Sequence, residues 1–200
     1  MAHTIRSIRI MKHLILASAS PRRRELLKMI SPDFEIASGV EVDETYPADM
    51  AADEVPVYLS RLKAEAYAGF VKNADDVLVT ADTVVIIDGD ILGKPSSRDE
   101  AVAMLKRLSG RTHHVVTGVT VTTAGGMESF GQKTAVHFDT VPDADIAHYV
   151  DVYRPYDKAG AYGIQEWIGA AAIKGVEGSF YNVMGLPVHA LFKRLQKLGC

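Results

Sequence analysis

The run Val84-Val85-Ile86-Ile87, followed at once by Asp88-Gly89 and Ile91-Leu92, limits the fold of this chain more than any other segment. Asp-Gly between apolar β-formers predicts a hairpin, because both residues accept the positive φ of a tight turn. A hairpin is antiparallel, so a purely parallel sheet is excluded. A second hairpin is expected where His114–Thr122 alternates as a strand, Gly125-Gly126 reverses the chain and Met127–Phe138 returns.

Helical signals lie between these strands. Leu14–Ala17 reads as a short buried strand, and Ser20 with Pro21 opens a helix continued by Leu26, Leu27 and Ile30. Phe34–Ala37 suggests a strand leading into the acidic loop Glu41–Glu44. Val55, Leu59, Leu62 and Ala66 recur at helical spacing, predicting a helix from about Glu54 to Gly69. Val77–Ala81 reads as a buried strand ending at Asp82-Thr83. Ser97 and Glu100 form a capping box for a helix through Ala101–Leu108 that stops at Gly110. A short helix is expected at Asp143–Val150, Gly-rich loops over 159–185, and an amphipathic helix over Pro187–Leu198. The class is α/β with a mixed sheet.

Two hundred residues, 48% of them hydrophobic and 24% charged, are enough for a real core. We expect one domain over 14–200, preceded by a basic N-terminal tail over 1–13. The formal charge of −3 argues against a broad grip on nucleic acid. The sole cysteine, Cys200, excludes a disulfide framework and a cysteine metal cluster, so a cytoplasmic home fits best. No apolar stretch approaches a membrane span.

Chemistry-bearing residues gather at predicted strand ends and adjoining loops. The strand–turn–helix at Ser18–Arg24 aims free N–H groups and a positive dipole end at one point, which also carries small hydroxyls and Arg22, Arg23 and Arg24. Guanidinium forks match phosphate oxygens. Glu44 and Asp82 are candidate metal carboxylates, since Mg²⁺ often takes one or two carboxylates plus substrate phosphates. Arg22, Arg23, Lys63 and Lys94 can neutralise a phosphate chain. Each residue alone also suits an ordinary role, such as a turn cap for Asp82 or a solvated face for Lys63; their concentration at strand ends is what points to a ligand site.

Other chemistries fit less well. His113 and His114 are adjacent in a strand, so their rings face opposite sides and cannot chelate one ion. A Gly-x-Ser-x-Gly nucleophile elbow and a Walker lysine motif are both absent from the sequence.

Leu16-Ala17-Ser18-Ala19-Ser20-Pro21-Arg22-Arg23, Val42-Asp43-Glu44-Thr45, Lys63-Ala64, Ala81-Asp82-Thr83-Val84 and Gly93-Lys94-Pro95 occur in the order found in the Maf family. Leu108-Ser109-Gly110, Asp157–Gln165 and Gly185-Leu186-Pro187 continue the match, which runs from about Leu14 to Leu198. The resemblance implies an elongated mixed-sheet fold, similar to that of the inosine triphosphatases, with a deep cleft between two lobes. It implies cleavage between the α- and β-phosphates of a nucleoside triphosphate. In that family's terms Asp82 accepts the proton of water, Glu44 and Asp82 hold a divalent cation, Mg²⁺ or Mn²⁺, and Ser18, Arg23, Lys63 and Lys94 hold the triphosphate. A homodimer is a common assembly.

Arg22, Thr83 and Gln165 resemble the branch acting on dTTP and UTP, whereas a 7-methyl-GTP branch has Trp, Gln and Glu there. An amide both donates to and accepts from a uracil or thymine edge. Glu166-Trp167-Ile168-Gly169 departs from the usual continuation, with Trp167 expected either in the core or in the base pocket. The alternative to catalysis is a nucleotide-binding regulator of cell division. Against it, acids such as Asp82 and Glu44 repel an anion unless a cation is shared.

Overall fold

The computed structural model describes residues 12–200. The expected tail at 1–13 lies, up to residue 11, outside the described residues, and His13 already belongs to the first strand. In chain order the elements are β1 (His13–Ala17), α1 (Pro21–Lys28), β2 (Glu35–Ala37), α2 (Val55–Ala66), β3 (Asp76–Ile87), β4 (Asp90–Leu92) and α3 (Arg98–Leu108). Then come β5 (Thr112–Thr123), β6 (Gly126–Phe138), α4 (Asp143–Tyr153), α5 (Trp167–Ala172), β7 (Ile173–Glu177), α6 (Phe180–Met184) and α7 (Val188–Lys197). No helix is long and apolar enough to cross a membrane among the described residues.

The seven strands form one mixed sheet in the order β2-β1-β3-β5-β6-β7, with β4 also on β3. β1 runs parallel to β2 and β3, and every other pairing is antiparallel. Both expected hairpins form. Asp88 and Gly89 each take positive φ in the first, and Thr123 pairs with Gly126 in the second.

One face of the sheet is covered by α2, whose Val55 and Leu59 pack on Val84, Ile86 and Val116. The other face carries two apolar clusters in sequence along β3. Val77, Val79 and Ala81 pack with Leu26, Leu27, Leu191 and Leu195 from α1 and α7. Val85 and Ile87 pack with Leu105, Leu108, Ile146 and Tyr149 from α3 and α4. Thr83 stands at the seam between the two clusters.

Several expectations need correction. β3 does not end at Asp82-Thr83 but runs through them, because β5 pairs with it continuously from Leu78 to Ile86. The 159–185 segment is not simply loop: it holds α5, edge strand β7 and α6. α2 stops at Ala66 rather than Gly69, which lies in a following 3₁₀ turn. The capping box is displaced by one residue. The Ser97 hydroxyl accepts from Glu100 N (3.2 Å), but the Glu100 carboxylate accepts from the N–H and hydroxyl of Ser96 (2.7 and 2.6 Å). Trp167 is 37% exposed, stacked on Tyr149 with ring centroids 6.5 Å apart, and so is neither core nor cavity wall. His113 and His114 do face opposite sides; the buried His113 Nε2 pairs with the Tyr162 hydroxyl at 2.7 Å.

At the start of β3, Asp76 ties the loop before it to β1. Its carboxylate bonds to His13 Nδ1 (3.0 Å) and accepts from the N–H groups of Asn73 and Lys72 (both 2.8 Å), which hold its pKa down to about 2 from an ordinary 3.8. A carboxyl whose folded-state pKa is depressed stabilises the fold above its unfolded value and loses that contribution as pH falls. Denaturant titrations are therefore expected to show stability falling between pH 4 and 2, with a shallower fall in Asp76→Asn. Equal slopes in both proteins would show that Asp76 is not the group responsible.

Candidate functional site

The site follows from a gap in the sheet. β1 covers one edge of β3 only as far as Thr80, opposite Ala17, and β4 takes up the same edge only from Val85. β5 occupies the opposite edge throughout. Ala81–Val84 therefore have an open edge in the middle of a seven-stranded sheet. Alternation along the strand turns Asp82 to the α2 face and Thr83 to the other face. A cavity of about 700 Å³ lies across this edge and is lined from both faces. All nine residues singled out from the sequence line it: Ser18, Arg22, Arg23, Glu44, Lys63, Asp82, Thr83, Lys94 and Gln165.

On the α2 face, Lys63 projects from the helix onto the sheet. Its ammonium donates to Asp82 Oδ1 at 2.7 Å and lies 2.9 Å from Glu44 Oε2. The Lys63 and Asp82 side chains are nearly buried, whereas Glu44 is half exposed. Two carboxylates from distant segments thus converge on one cationic point. Lys63, expected on the triphosphate, lines the cavity and here bridges the two acids. Among the described residues no group of three or more His, Cys, Asp or Glu side chains converges as a metal site. Two carboxylates leave the remaining positions to substrate oxygens and water, a set that suits Mg²⁺ or Mn²⁺.

At the edge itself, the Ser18–Pro21 turn opens α1 as the sequence implies. Ser20 caps the helix by accepting weakly from Arg23 N (3.5 Å), and Ser18 Oγ accepts from Ser20 N at 3.2 Å. Arg23 fills the gap left by β1. Its guanidinium donates to Gly185 O (2.8 Å), Ala81 O (2.9 Å) and Thr83 Oγ1 (2.9 Å). Burial pushes its pKa below the ordinary value, opposed by the nearby Asp82 carboxylate. Three of its five N–H groups are committed to the protein, so it builds the edge as well as lining the cavity. Thr83 is committed too. It accepts from Arg23 and pairs at 2.9 Å with Thr117 Oγ1, which donates to Asn182 O at 3.0 Å. Thr83 therefore donates to Thr117, and its hydroxyl is held by the scaffold.

Arg23→Lys keeps the charge but cannot reach three acceptors at once. Charge-assisted hydrogen bonds contribute ~1.5–3 kcal/mol each, so a loss of about 2 kcal/mol is expected after partial compensation. For a chain of this size that is a fall of ~4–8 °C in the thermal midpoint. A midpoint within about 1 °C of the wild type would refute this bridging role.

The opposite face presents Arg22 and Gln165. Arg22 Nη1 donates to Asp157 Oδ2 at 2.6 Å. Burial pushes the Asp157 carboxyl up, but hydrogen bonds from Lys158 and Arg22 outweigh it and leave it below the usual carboxylate range. Gln165 is exposed in the cavity wall. Lys94, also in the cavity lining, is exposed on a loop that Gly160 N ties down by donating to Gly93 O at 3.0 Å, and no ion pair engages Lys94 among the described residues.

Sequence reasoning assigned no role to Asp157, Lys158 or Asn182. Asp157 and Lys158 lie 135 residues or more from Arg22, and no periodicity announces such a pairing. Asn182 sits in the span expected to be loop, where it is buried and donates to Val115 O (3.1 Å) and Thr134 Oγ1 (2.9 Å).

A family model described as Maf-like protein matches residues 13–198. Among curated relatives, a dTTP/UTP pyrophosphatase of Porphyromonas gingivalis is 53% identical over 188 residues, covering 93% of this chain and 94% of its own length. One of Bacteroides thetaiotaomicron is 50% identical over 185 residues, covering 92% and 95% respectively. One of Cytophaga hutchinsonii is 44% identical over 186 residues, covering 92% of this chain and 84% of its own.

Proposed function

The chain belongs to the Maf-like protein family, and from that membership and the geometry of its cavity we propose that it hydrolyses dTTP and UTP to the nucleoside monophosphate and pyrophosphate. The observation that carries the reading is the convergence of Glu44 and Asp82 on one cationic point, 2.9 and 2.7 Å from Lys63 Nζ, at an open sheet edge beside the α1 N-terminus. The names of the relatives support the substrates, as do Arg22 and Gln165 on the opposite wall.

In this proposal the triphosphate crosses the open edge of β3. The α1 N-terminus, the Ser18 hydroxyl and the Lys94 ammonium neutralise and position its oxygens. Asp82 Oδ1 is held by Lys63, which leaves Oδ2 to accept the proton of an attacking water. Glu44 and Asp82 would hold a divalent cation, whose chemistry is to neutralise charge developing on the leaving pyrophosphate. Arg22 and Gln165 face the base, and the scaffold-bound Thr83 shapes the wall between the halves of the cavity. A cytoplasmic homodimer acting on free nucleotides, without membrane or nucleic acid, completes the reading; the formal charge of −3 suits it.

Isotope transfer tests the reaction. Hydrolysis of UTP in ¹⁸O-water with Mg²⁺ is expected to give UMP carrying the label and unlabelled pyrophosphate, as attack at the α-phosphorus requires. Release of UDP and inorganic phosphate would contradict it.

A further inference from the structure

Arg22 and Gln165, on the same face of the cavity, are linked by a chain of charges that runs from the exposed Asp157 inward to the buried Lys158. Arg22 donates to Asp157 Oδ2 at 2.6 Å, and Lys158 Nζ lies 2.7 Å from Asp157 Oδ1 and 3.1 Å from Glu166 Oε1. The Tyr149 hydroxyl donates to Glu166 Oε2 and accepts from Gly163 N at 3.1 Å. Lys158 is 8% exposed and Tyr149 is fully buried. The four charges alternate in sign, and each inner one has a partner on both sides. At the inner end, where Lys158, Glu166 and Tyr149 are shielded from water, an unpaired member is costly, so the completed set fixes its members.

The chain ends where the base would be read. Gly163 and Gln165 line the cavity, and the Glu166 carboxyl lies against the Gly163 backbone. A side-chain carbon added at Gly163 would lie 2.8 Å from Glu166 Cδ and 3.1 Å from Gln165 Nε2. The bare Gly163 backbone is thus the surface against which both side chains are held. This placement has a chemical consequence. A carboxamide free to rotate by half a turn matches a uracil edge as well as a cytosine edge, because it presents a donor and an acceptor either way. It discriminates only when its orientation is set by its surroundings.

We infer that Glu166 and Lys158 are positioning residues for base choice: their ion pair ties the Gln165 segment to the Arg22–Asp157 pair and fixes the carboxamide to favour uracil and thymine over cytosine. The inference rests on the reading above of a pyrophosphatase acting on pyrimidine nucleoside triphosphates. It also gives Glu166, a departure from the usual family continuation, a role of its own.

The test compares Glu166→Gln, Lys158→Met and Lys158→Arg with the wild type, using UTP and CTP with Mg²⁺. Glu166→Gln keeps the volume and an acceptor for Tyr149 but removes the charge facing Lys158. KM for UTP is expected to rise ~10-fold with kcat within about twofold, and the preference for UTP over CTP to fall ~10-fold, as for a modest misplacement of a binding group. Lys158→Arg, which can fork to both carboxylates, is expected to keep more of the preference than Lys158→Met. Should Lys158→Met fail to fold, the other two variants decide. An unchanged preference in Glu166→Gln, or a parallel loss of kcat for both nucleotides, would overturn the inference. A wild type that hydrolyses neither nucleotide refutes the substrate reading instead; the ratio of UTP to CTP equilibrium binding in wild type and Glu166→Gln then judges the positioning role separately.

Discussion

Asp82→Asn is expected to lower pyrophosphate release from UTP by about a thousandfold while leaving UTP binding within a few fold of the wild type. Asn keeps the volume of Asp82 and can still accept from Lys63 Nζ, now 2.7 Å from Oδ1. What it loses is an anionic oxygen able to take a proton and half of the carboxylate pair shared with Glu44. In the proposed site the triphosphate and base are held elsewhere, at the α1 N-terminus and beside Arg22, so affinity has little reason to fall. Single-turnover kinetics beside calorimetric binding separates the two effects. Wild-type turnover in the folded variant would take Asp82 out of the chemistry.

The second large effect concerns a residue with no chemistry of its own. Gly118 of β5 lies opposite Asp82 in the register. A side-chain carbon there would fall 2.1 Å from Pro56 O and 2.3 Å from Val57 N, in the first turn of α2. Backbone cannot yield as a flexible side chain does, so Gly118→Ala must push α2 off the sheet. Overpacking of this kind costs typically 1–3 kcal/mol and sometimes more. We expect the top of that range, about 3 kcal/mol, or a fall of ~6–12 °C in the thermal midpoint. Because α2 carries Lys63 to Asp82, the variant that remains folded at low temperature is also expected to lose at least about tenfold in turnover. Normal stability with normal turnover would mean that α2 does not depend on close approach at Gly118.

These two residues show which parts of the molecule are legible in the sequence. The strand–turn–helix at Leu14–Lys28 is readable because its determinants are local: a β-run, a serine cap and a proline where no N–H is needed. The Asp88-Gly89 hairpin is readable for the same reason. The passage of β3 through Asp82-Thr83 is not, because polar side chains interrupt the apolar run and only the distant pairing with β5 carries the strand onward. The open edge, which makes Asp82 reachable in mid-sheet, depends on where β1 and β4 stop, and no local signal encodes that. The α5–β7–α6 segment hides behind a run of glycines, some of which serve packing and others, such as Gly178 and Gly185 at positive φ, turns. At Gly169 an added carbon would sit 1.7 Å from Ile164 O, so the chain folds back on itself more closely than any other residue permits. The site residues emerge from motif resemblance, and their division of labour emerges only from geometry: Lys63 between two acids, Arg23 and Thr83 in the scaffold, and Glu166 joined to Lys158 behind Gln165.

The central claim is that this cavity selects and cleaves pyrimidine nucleoside triphosphates. Its most direct test is steady-state pyrophosphate release from dTTP, UTP, CTP, GTP and 7-methyl-GTP with Mg²⁺ or Mn²⁺. The account predicts that dTTP and UTP lead in kcat/KM by at least about tenfold. A lead for 7-methyl-GTP, or tight binding of dTTP and UTP without any turnover, would contradict it.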